Sequence, residues 1–174
     1  MIRKANYNDV QKVAELYEKM LGYEETHVKY TSWQRGIYPT ADTAKLGVKN
    51  SSLYVYEEGE KILGAVILDT LQPPEYKKIK WGIAAKYNEA LVIHTLCVCP
   101  ESAGGGIGSA FVDFAKRLAK EKNCVCIRLN TTQKNSPAAK LYLKNGFSSV
   151  AAEKILLNGQ IKCDSHLFFE FIIK

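Results

Sequence analysis

Apolar and polar positions alternate with helical spacing in the middle of the chain. One side of the predicted helix carries Ile107, Ala110, Phe111, Phe114 and Leu118, at i, i+3, i+4, i+7 and i+11. An apolar run over residues 91–98 precedes it, and a turn with four glycines, residues 104–108, lies between the two. This order predicts a buried strand, a glycine-rich turn and an amphipathic helix.

The N-terminal third predicts a short strand, two helices and a strand hairpin. The first strand covers residues 2–5, and Asn6 then caps a helix that Gly22 ends. A second helix covers residues 41–46 and is closed by Gly47. Apolar runs at residues 52–56 and 62–69 flank a turn at residues 57–60, which is the pattern of a hairpin.

The C-terminal third continues with the same mixture of elements. A buried strand at residues 124–129 is followed by a helix that begins at Ser136 and Pro137 and stops at Gly146. The dipeptide Asn158-Gly159 then predicts a turn between two final strands. The whole order indicates one domain spanning residues 1–174, in which strands and helices mix.

The glycine-rich turn has the properties of an anion site. The start of a helix presents unpaired backbone N–H groups and the positive end of the helix dipole, and glycines let a phosphate approach closely. Its spacing differs from G-x-G-x-x-G and from a Walker A loop, because Gly106-Ile107-Gly108 is followed by Ser109-Ala110. A dinucleotide fold and a P-loop are therefore excluded.

Two motifs resemble those of the GCN5-related N-acetyltransferase (GNAT) family. The turn from Ala103 to Gly108 resembles motif A, which has Arg or Gln, two residues, Gly, one residue, then Gly or Ala; here the first position is Ala103. The stretch from Asn135 to Phe147 resembles motif B, with its Asn, Ala, Leu-Tyr and Gly-Phe in register. The run over residues 93–100 resembles the strand that precedes motif A in this family.

The resemblance implies an α/β fold of the GNAT, or acyl-CoA N-acyltransferase, type. Such a fold has a central mixed sheet, mostly antiparallel, with splayed fourth and fifth strands and flanking helices. It also implies transfer of an acetyl group from acetyl-CoA, as cosubstrate, to a primary amine. Residues 71–89, which include Pro73-Pro74, are then either an arm packed on the core or a loop over the acceptor pocket.

The resemblance implies specific cofactor contacts. They are the strand positions Leu96, Cys97 and Val98, the turn positions Ala103, Gly104, Gly105, Gly106, Ile107, Gly108 and Ser109, and further along the chain Asn135 and Tyr142. The strand would pair with the pantetheine arm, and the turn would hold the pyrophosphate. Asn135 is also explained as a plain helix cap.

Tyr142 and His94 are the implied catalytic residues. Tyr142 matches the family's general acid, which protonates the departing thiolate, although a helix-face tyrosine is also an ordinary core residue. His94 is a candidate base because imidazole titrates near neutral pH, although a lone His in an apolar strand is often structural. Glu89, Asp69 and a chain of waters are alternatives for the base.

Composition narrows the remaining function classes. The five cysteines form no zinc pattern, so we expect no metal and a reducing, cytoplasmic location. No stretch approaches the roughly 18 apolar residues of a membrane span. The net charge of +6 is dispersed, which argues against nucleic acid as a partner.

Two questions stay open at the level of sequence. A non-catalytic module that binds or senses acyl-CoA on the same fold is the alternative to an enzyme. The acceptor is a small-molecule or peptide amine that the sequence does not identify, and a homodimer is an open alternative to a monomer.

Overall fold

The computed structural model describes residues 1–157 and 159–174, with the side chain of Asp164 left out. The strands are β1 (Ile2–Lys4), β2 (Leu53–Glu58), β3 (Lys61–Asp69), β4 (Ala90–Val98), β5 (Cys126–Thr132), β6 (Ser148–Leu157) and β7 (Ile161–Ile172). The helices are α1 (Val10–Thr26), α2 (Ala41–Lys49), α3 (Ile107–Glu121) and α4 (Ser136–Lys144). Short 3-10 turns cover Tyr7–Asp9, Pro74–Lys78 and Pro100–Ser102.

The chain forms two compact units built from interleaved segments. The first unit contains Met1–Lys29, Trp33–Leu68 and His94–Phe111, and the second contains Tyr30–Ser32, Asp69–Ile93 and Val112–Lys174. Strand order is β1-β2-β3-β4 in the first unit and β4-β5-β7-β6 in the second, since β4 contributes residues to both.

Strand directions confirm the predicted mixed sheet. The pairs β1–β2, β2–β3, β5–β7 and β6–β7 are antiparallel, whereas β4–β5 is parallel. The parallel pairing brings Ala90 opposite Cys126 and Val92 opposite Arg128. The sheet is therefore mostly antiparallel with one parallel pair, as the sequence predicted.

In the first unit, α1 and α2 pack on the β-strands through a continuous apolar core. The members of this core include Val13, Leu16, Tyr17, Ala44, Leu53, Val55, Ala65 and Cys97. At the start of α1, Asn6 and Asp9 form the predicted capping box. The Arg3 guanidinium donates to both Asp9 and Glu57, so β1 is tied to this turn and to β2.

Both N-terminal helices extend beyond their predicted ends. Helix α1 passes through Gly22 to Thr26, and α2 passes through Gly47 to Lys49. A Cβ on Gly47 would lie 3.0 Å from Leu53 Cβ, so this glycine allows α2 to approach β2 closely. A Cβ on Gly22 would meet only the Arg35 side chain, at 3.5 Å. The prediction that both glycines end helices was wrong because neither has the backbone conformation of a helix stop.

In the second unit, the segment at residues 71–89 packs on the core as an arm. Tyr76 is buried against the rings of Trp81 and Phe168, with centroids 5.1 and 5.6 Å away. Arg128 Nε donates to Glu170 Oε1 at 3.0 Å, and both side chains are almost fully buried. Of the two interpretations of residues 71–89, the structure shows the packed arm.

A chain of side-chain hydrogen bonds joins this arm to β5, β7 and Ser32. The Tyr76 hydroxyl donates to Asn130 Oδ1 at 3.0 Å, which leaves Asn130 Nδ2 to donate to His166 Nδ1 at 2.7 Å. His166 Nε2 therefore carries the proton that faces Ser32 Oγ at 3.3 Å. Burial lowers the pKa of His166 to about 4, so the ring is neutral at pH 7.

The remaining sequence expectations concern membranes, cysteines and the last hairpin. Within the described residues, no helix combines the length and apolar character needed to cross a bilayer. All five cysteines are free thiols and buried. The predicted turn residue Asn158 lies outside the described residues, and the neighbouring Gly159 has a φ of +68°.

Candidate functional site

The glycine-rich turn is shaped by two residues in the left-handed conformation. Gly104 has a φ of +81° and Gly106 a φ of +84°, values that only glycine adopts without strain. Both are exposed, and a Cβ built on either would meet nothing within 4 Å. The glycines are thus required by the backbone path, and the space in front of the turn is open.

The backbone N–H groups at the turn differ in whether they have a partner within the chain. The N–H of Ala110 donates to Gly106 O at 2.9 Å, which makes Gly106 the residue just before the first turn of α3. The first N–H groups of α3, those of Ile107, Gly108 and Ser109, have no acceptor within the helix. The Gly105 N–H differs because it donates to Ser102 O at 3.1 Å.

The start of α3 is held against β3 at Gly64. A Cβ at Gly64 would lie 2.8 Å from Phe111 Cε2 and 3.1 Å from Ile107 Cγ2. Ile107 and Phe111 are buried there, at 5% and 1% exposure. The position of the glycine turn therefore depends on the absence of a side chain at Gly64.

The second half of β4 contains a local break in strand geometry. Thr95 has a φ of +48°, which costs a β-branched residue about 1–2 kcal/mol. Its hydroxyl is hydrogen-bonded to the Tyr38 hydroxyl. His94, Leu96 and Val98 are half-buried. Cys97 is buried at 2% exposure, so any cofactor contact there would come from its backbone.

Asn135 caps α4 in the second unit. Its Oδ1 accepts a hydrogen bond from the Ala138 N–H at 3.2 Å, and Pro137 occupies the first turn. The structure therefore shows the cap role of Asn135. The cofactor contact, which the resemblance implies, stays a prediction.

Tyr142 lies on the buried face of α4. It is 5% exposed and packs against Phe147 and Phe169, with ring centroids 5.6 and 5.8 Å away. Burial raises the pKa of Tyr142 well above its ordinary value of about 10. The phenol is therefore protonated throughout the neutral range.

The two alternative bases take part in local turns. Glu89 Oε2 accepts from the Lys86 N–H at 2.9 Å, and Asp69 Oδ1 accepts from the Leu71 N–H at 2.9 Å.

The predicted site residues are distributed over both units. The first unit contains His94 and the strand and turn positions up to Gly108, and the second contains Asn135 and Tyr142. Ser109 follows in α3, in the first unit. Among the described residues, no group of three His, Cys, Asp or Glu side chains could hold a metal ion.

Sequence reasoning missed two polar groups on the buried face of α1. Tyr17 is not among the predicted site residues, and Glu24 lies beyond Gly22, the predicted end of the helix. Glu24 is 4% exposed and follows Tyr17 by seven residues, so both lie on one face. A charged residue continuing an apolar helical face was the signal that could have identified them.

The chain belongs to the GNAT acetyltransferase family. The family model described as "Acetyltransferase (GNAT) family" matches residues 10–147, which is most of the chain. Acetyl-CoA is the cosubstrate of this family. This assignment confirms the resemblance that the two motifs indicated.

Similar curated proteins are N-acetyltransferases or related enzymes. Streptothricin acetyltransferase from Escherichia coli is 34% identical over 69 residues, which are 40% of this chain and 40% of that protein. An uncharacterized N-acetyltransferase from Methanocaldococcus jannaschii is 25% identical over 162 residues, which are 92% of this chain and 64% of that protein. The chain thus spans less than two thirds of the length of either relative.

Solved structures show the same fold over the whole chain. A GNAT acetyltransferase from Streptococcus agalactiae has a TM-score of 0.77 at 19% identity, covering 100% of this chain and 95% of its own. The yncA protein of Salmonella typhimurium, described with acetyl-CoA as its cofactor, has a TM-score of 0.72 at 14% identity, with coverages of 100% and 94%. At these identities the likeness concerns the fold alone.

Proposed function

We propose that this protein transfers an acetyl group from acetyl-CoA to a primary amine of a small-molecule or peptide acceptor by direct attack. In this reaction the amine nitrogen forms a bond to the thioester carbon, and the C–S bond then breaks. The amine loses one proton, and the coenzyme A thiolate gains one. No covalent acetyl-enzyme is formed.

The observation that carries the proposal is the open turn at the start of α3. Gly104 and Gly106 adopt left-handed conformations with free space in front of them, and helix N–H groups follow directly. A pyrophosphate needs several converging N–H donors, and the first turn of a 15-residue helix supplies them. Because the Ala103 and Gly105 N–H groups donate to Pro100 O and Ser102 O, the proposed phosphate donors are the N–H groups of Gly104 and of Gly106 to Ser109.

Tyr142 is the proposed general acid. A group that protonates a thiolate must hold its proton at working pH, and the raised pKa of this buried phenol meets that condition. His94, which is half-buried in β4, is the proposed base that removes a proton from the amine. An ordered chain of waters is the alternative to His94 for removing this proton.

Isothermal titration calorimetry with acetyl-CoA tests the phosphate site. We expect wild type to bind and Gly106→Glu to lose binding, because the added carboxylate would occupy the open space and repel the pyrophosphate. Gly59→Glu is the matched control: Gly59 also has a positive φ, of +59°, and open space around it, but lies in the β2–β3 turn. If wild type fails to bind acetyl-CoA, the proposed function is wrong.

Tyr142→Phe tests the chemical step. The variant keeps the ring packing against Phe147 and Phe169, so we expect an unchanged melting temperature and an acetyl-CoA affinity lowered far less than kcat. Removing a general acid lowers kcat by about 10²-fold or more. Release of coenzyme A in the presence of amines also separates an enzyme from an acyl-CoA binding module, which would show binding without turnover.

A further inference from the structure

Thr95 in β4 has a backbone conformation that its own side chain disfavours. Its φ of +48° lies in the left-handed region, where β-branched residues are rarely found. Such conformations persist only where surrounding contacts hold them, and they concentrate at functional sites. Thr95 lies between His94, the candidate base, and Leu96, a candidate cofactor contact. A contact that holds Thr95 therefore acts on the backbone of both residues.

The hydroxyl of Tyr38 makes such a contact. It is hydrogen-bonded to the Thr95 hydroxyl, and Thr95 is only 9% exposed. The direction of a side chain depends on the backbone conformation, so an extended Thr95 would turn its hydroxyl away from Tyr38. Both hydroxyl groups would then lose a partner in a largely buried place, which is costly. The bond therefore favours the left-handed conformation over the extended one.

Tyr38 is itself held in place within the first unit. It closes a tight turn in which the Gln34 N–H donates to Tyr38 O at 3.0 Å and the Tyr38 N–H donates to Gln34 O at 2.9 Å. Between these residues, Arg35 pairs with two glutamates of α1. The Tyr38 ring stands edge to face with Trp33, with centroids 6.4 Å apart, and Trp33 packs on the apolar core. The phenol thus has a defined position from which it restrains Thr95.

The second half of β4 presents one buried and one half-buried side. Every second residue from Thr95 onward is buried, whereas the residues between them, which include the cofactor candidates Leu96 and Val98, are half-buried. The Cys99 N–H donates to Leu63 O at 2.8 Å, so the end of β4 is fixed to β3. With this end fixed, the conformation of Thr95 determines how the backbone of Leu96 is directed.

We propose that Tyr38 is a positioning residue for acetyl transfer, because its hydroxyl holds Thr95 in the left-handed conformation and thereby aligns the backbone of Leu96 with acetyl-CoA. Tyr38 acts through Thr95 and does not itself touch the cosubstrate. This inference rests on the proposed function and adds to it a residue that lies outside both motifs. Tyr38, Thr95 and Leu96 all belong to the first unit.

Two variants that each remove one hydroxyl of this bond test the inference. Tyr38→Phe keeps the ring beside Trp33, and Thr95→Val keeps the β-branched side chain. In calorimetry, each should bind acetyl-CoA about fivefold more weakly than wild type, which is ~1 kcal/mol. Because both variants remove the same bond, the double variant should also lose about fivefold and not the product of the two losses.

A control and a rescue variant separate positioning from general stability. Tyr76→Phe is the matched control, because it removes a hydroxyl that donates to Asn130 Oδ1 at 3.0 Å in the second unit. It should lower the melting temperature about as much as Tyr38→Phe but leave acetyl-CoA affinity unchanged. Glycine adopts a left-handed φ without strain, so Thr95→Gly added to Tyr38→Phe should regain about twofold or more in affinity. Loss of packing alone would not be rescued in this way.

The Cα and Cβ chemical shifts of Thr95 measure its backbone conformation directly, without any ligand. They differ between extended and left-handed residues, and they can be followed in the labelled protein free of acetyl-CoA. In Tyr38→Phe they should move towards the values of an extended threonine. In Tyr76→Phe they should stay at the wild-type values.

The outcomes distinguish this inference from the proposed function. Unchanged Thr95 shifts in Tyr38→Phe, or an unchanged acetyl-CoA affinity, would overturn the positioning role while the acetyltransferase proposal stands. An equal loss of affinity in Tyr76→Phe would overturn it as well, since the effect would then follow stability alone. If wild type fails to bind acetyl-CoA, the proposed function and the positioning role are both wrong.

Discussion

The buried ion pair between Arg128 and Glu170 should hold the arm at residues 71–89 in place. Both Glu170 oxygens accept hydrogen bonds, Oε1 from Arg128 Nε at 3.0 Å and Oε2 from the Gly82 N–H at 2.7 Å. Arg128 also donates to Gln72 Oε1 and to Ile83 O, and its guanidinium lies 4.4 Å from the Trp81 ring centroid. Four contacts from the arm thus converge on one pair.

Glu170→Gln is the sharpest perturbation of this pair. Glutamine keeps the shape but has one acceptor oxygen, so its NH₂ group faces a donor, either Arg128 Nε or the Gly82 N–H. The Arg128 charge also loses its buried partner. Breaking a buried pair of this kind costs about 3–5 kcal/mol. With a urea m-value of ~1–3 kcal/mol/M, the unfolding midpoint should fall by at least about 1 M.

Urea unfolding and trypsin digestion measure this effect. The exposed lysines of the arm, Lys77, Lys78 and Lys80, should be cleaved faster in the variant, because Gly82 no longer anchors the segment. Glu25→Gln is the matched control: its pair with Arg35 is exposed, and the loss should stay below about 1 kcal/mol.

A double variant completes the argument. Arg128→Met leaves the Glu170 carboxylate buried without its cation, so Arg128→Met with Glu170→Gln should be less destabilised than the sum of the two single variants. A loss below about 1 kcal/mol in Glu170→Gln, with unchanged trypsin cleavage, would refute the reasoning, since it would show that the pair neither stabilises the second unit nor anchors the arm.

Two further predictions concern pH and packing. The pKa of His166 is about 4 when folded and near 6.5 when unfolded, so the unfolded chain binds more protons between these values. This residue should therefore lower the free energy of unfolding by on the order of 2 kcal/mol between pH 7 and pH 4. In urea unfolding measured at several pH values, His166→Gln should remove this part of the pH dependence. Equal pH dependence in the variant and the wild type would contradict the prediction. Gly64→Ala should destabilise the protein by about 1–3 kcal/mol and weaken acetyl-CoA binding, because its Cβ would overlap Phe111. Gly22→Ala, within α1, should instead stabilise the protein by about 0.5–1 kcal/mol in thermal melts. Similar melting temperatures for the two alanine variants would show that the close contact at Gly64 is relaxed without cost.

The helix ends show how far local sequence signals reach. Gly146 ends α4 as predicted, with a φ of +84°, whereas Gly22 and Gly47 lie inside helices. A glycine in sequence signals either a left-handed stop or a close approach between elements. Only the tertiary contact of Gly47 with Leu53 shows that the second reason applies there.

The sequence could likewise predict some parts of the candidate site and its surroundings but not others. The glycine turn could be predicted from the sequence because its strand, its glycines and its helix are contiguous, and the family model covers both motifs. The sequence could not decide between a packed arm and a loop at residues 71–89, since the contact that fixes the arm joins Gly82 and Glu170, which are 88 residues apart in sequence. The burial of Glu24 could not be predicted for a different reason: the helix was predicted to end at Gly22, before this residue.

The burial of all five thiols makes this protein convenient to assay and to probe. Each cysteine is at most 7% exposed, and burial raises the pKa of Cys97, Cys99, Cys124 and Cys126. A disulfide reagent added to the native protein should therefore report the thiol of released coenzyme A with little background from the enzyme. Used without substrate, the same reagent measures the rate of unfolding, because a buried thiol must become exposed before the reagent can label it.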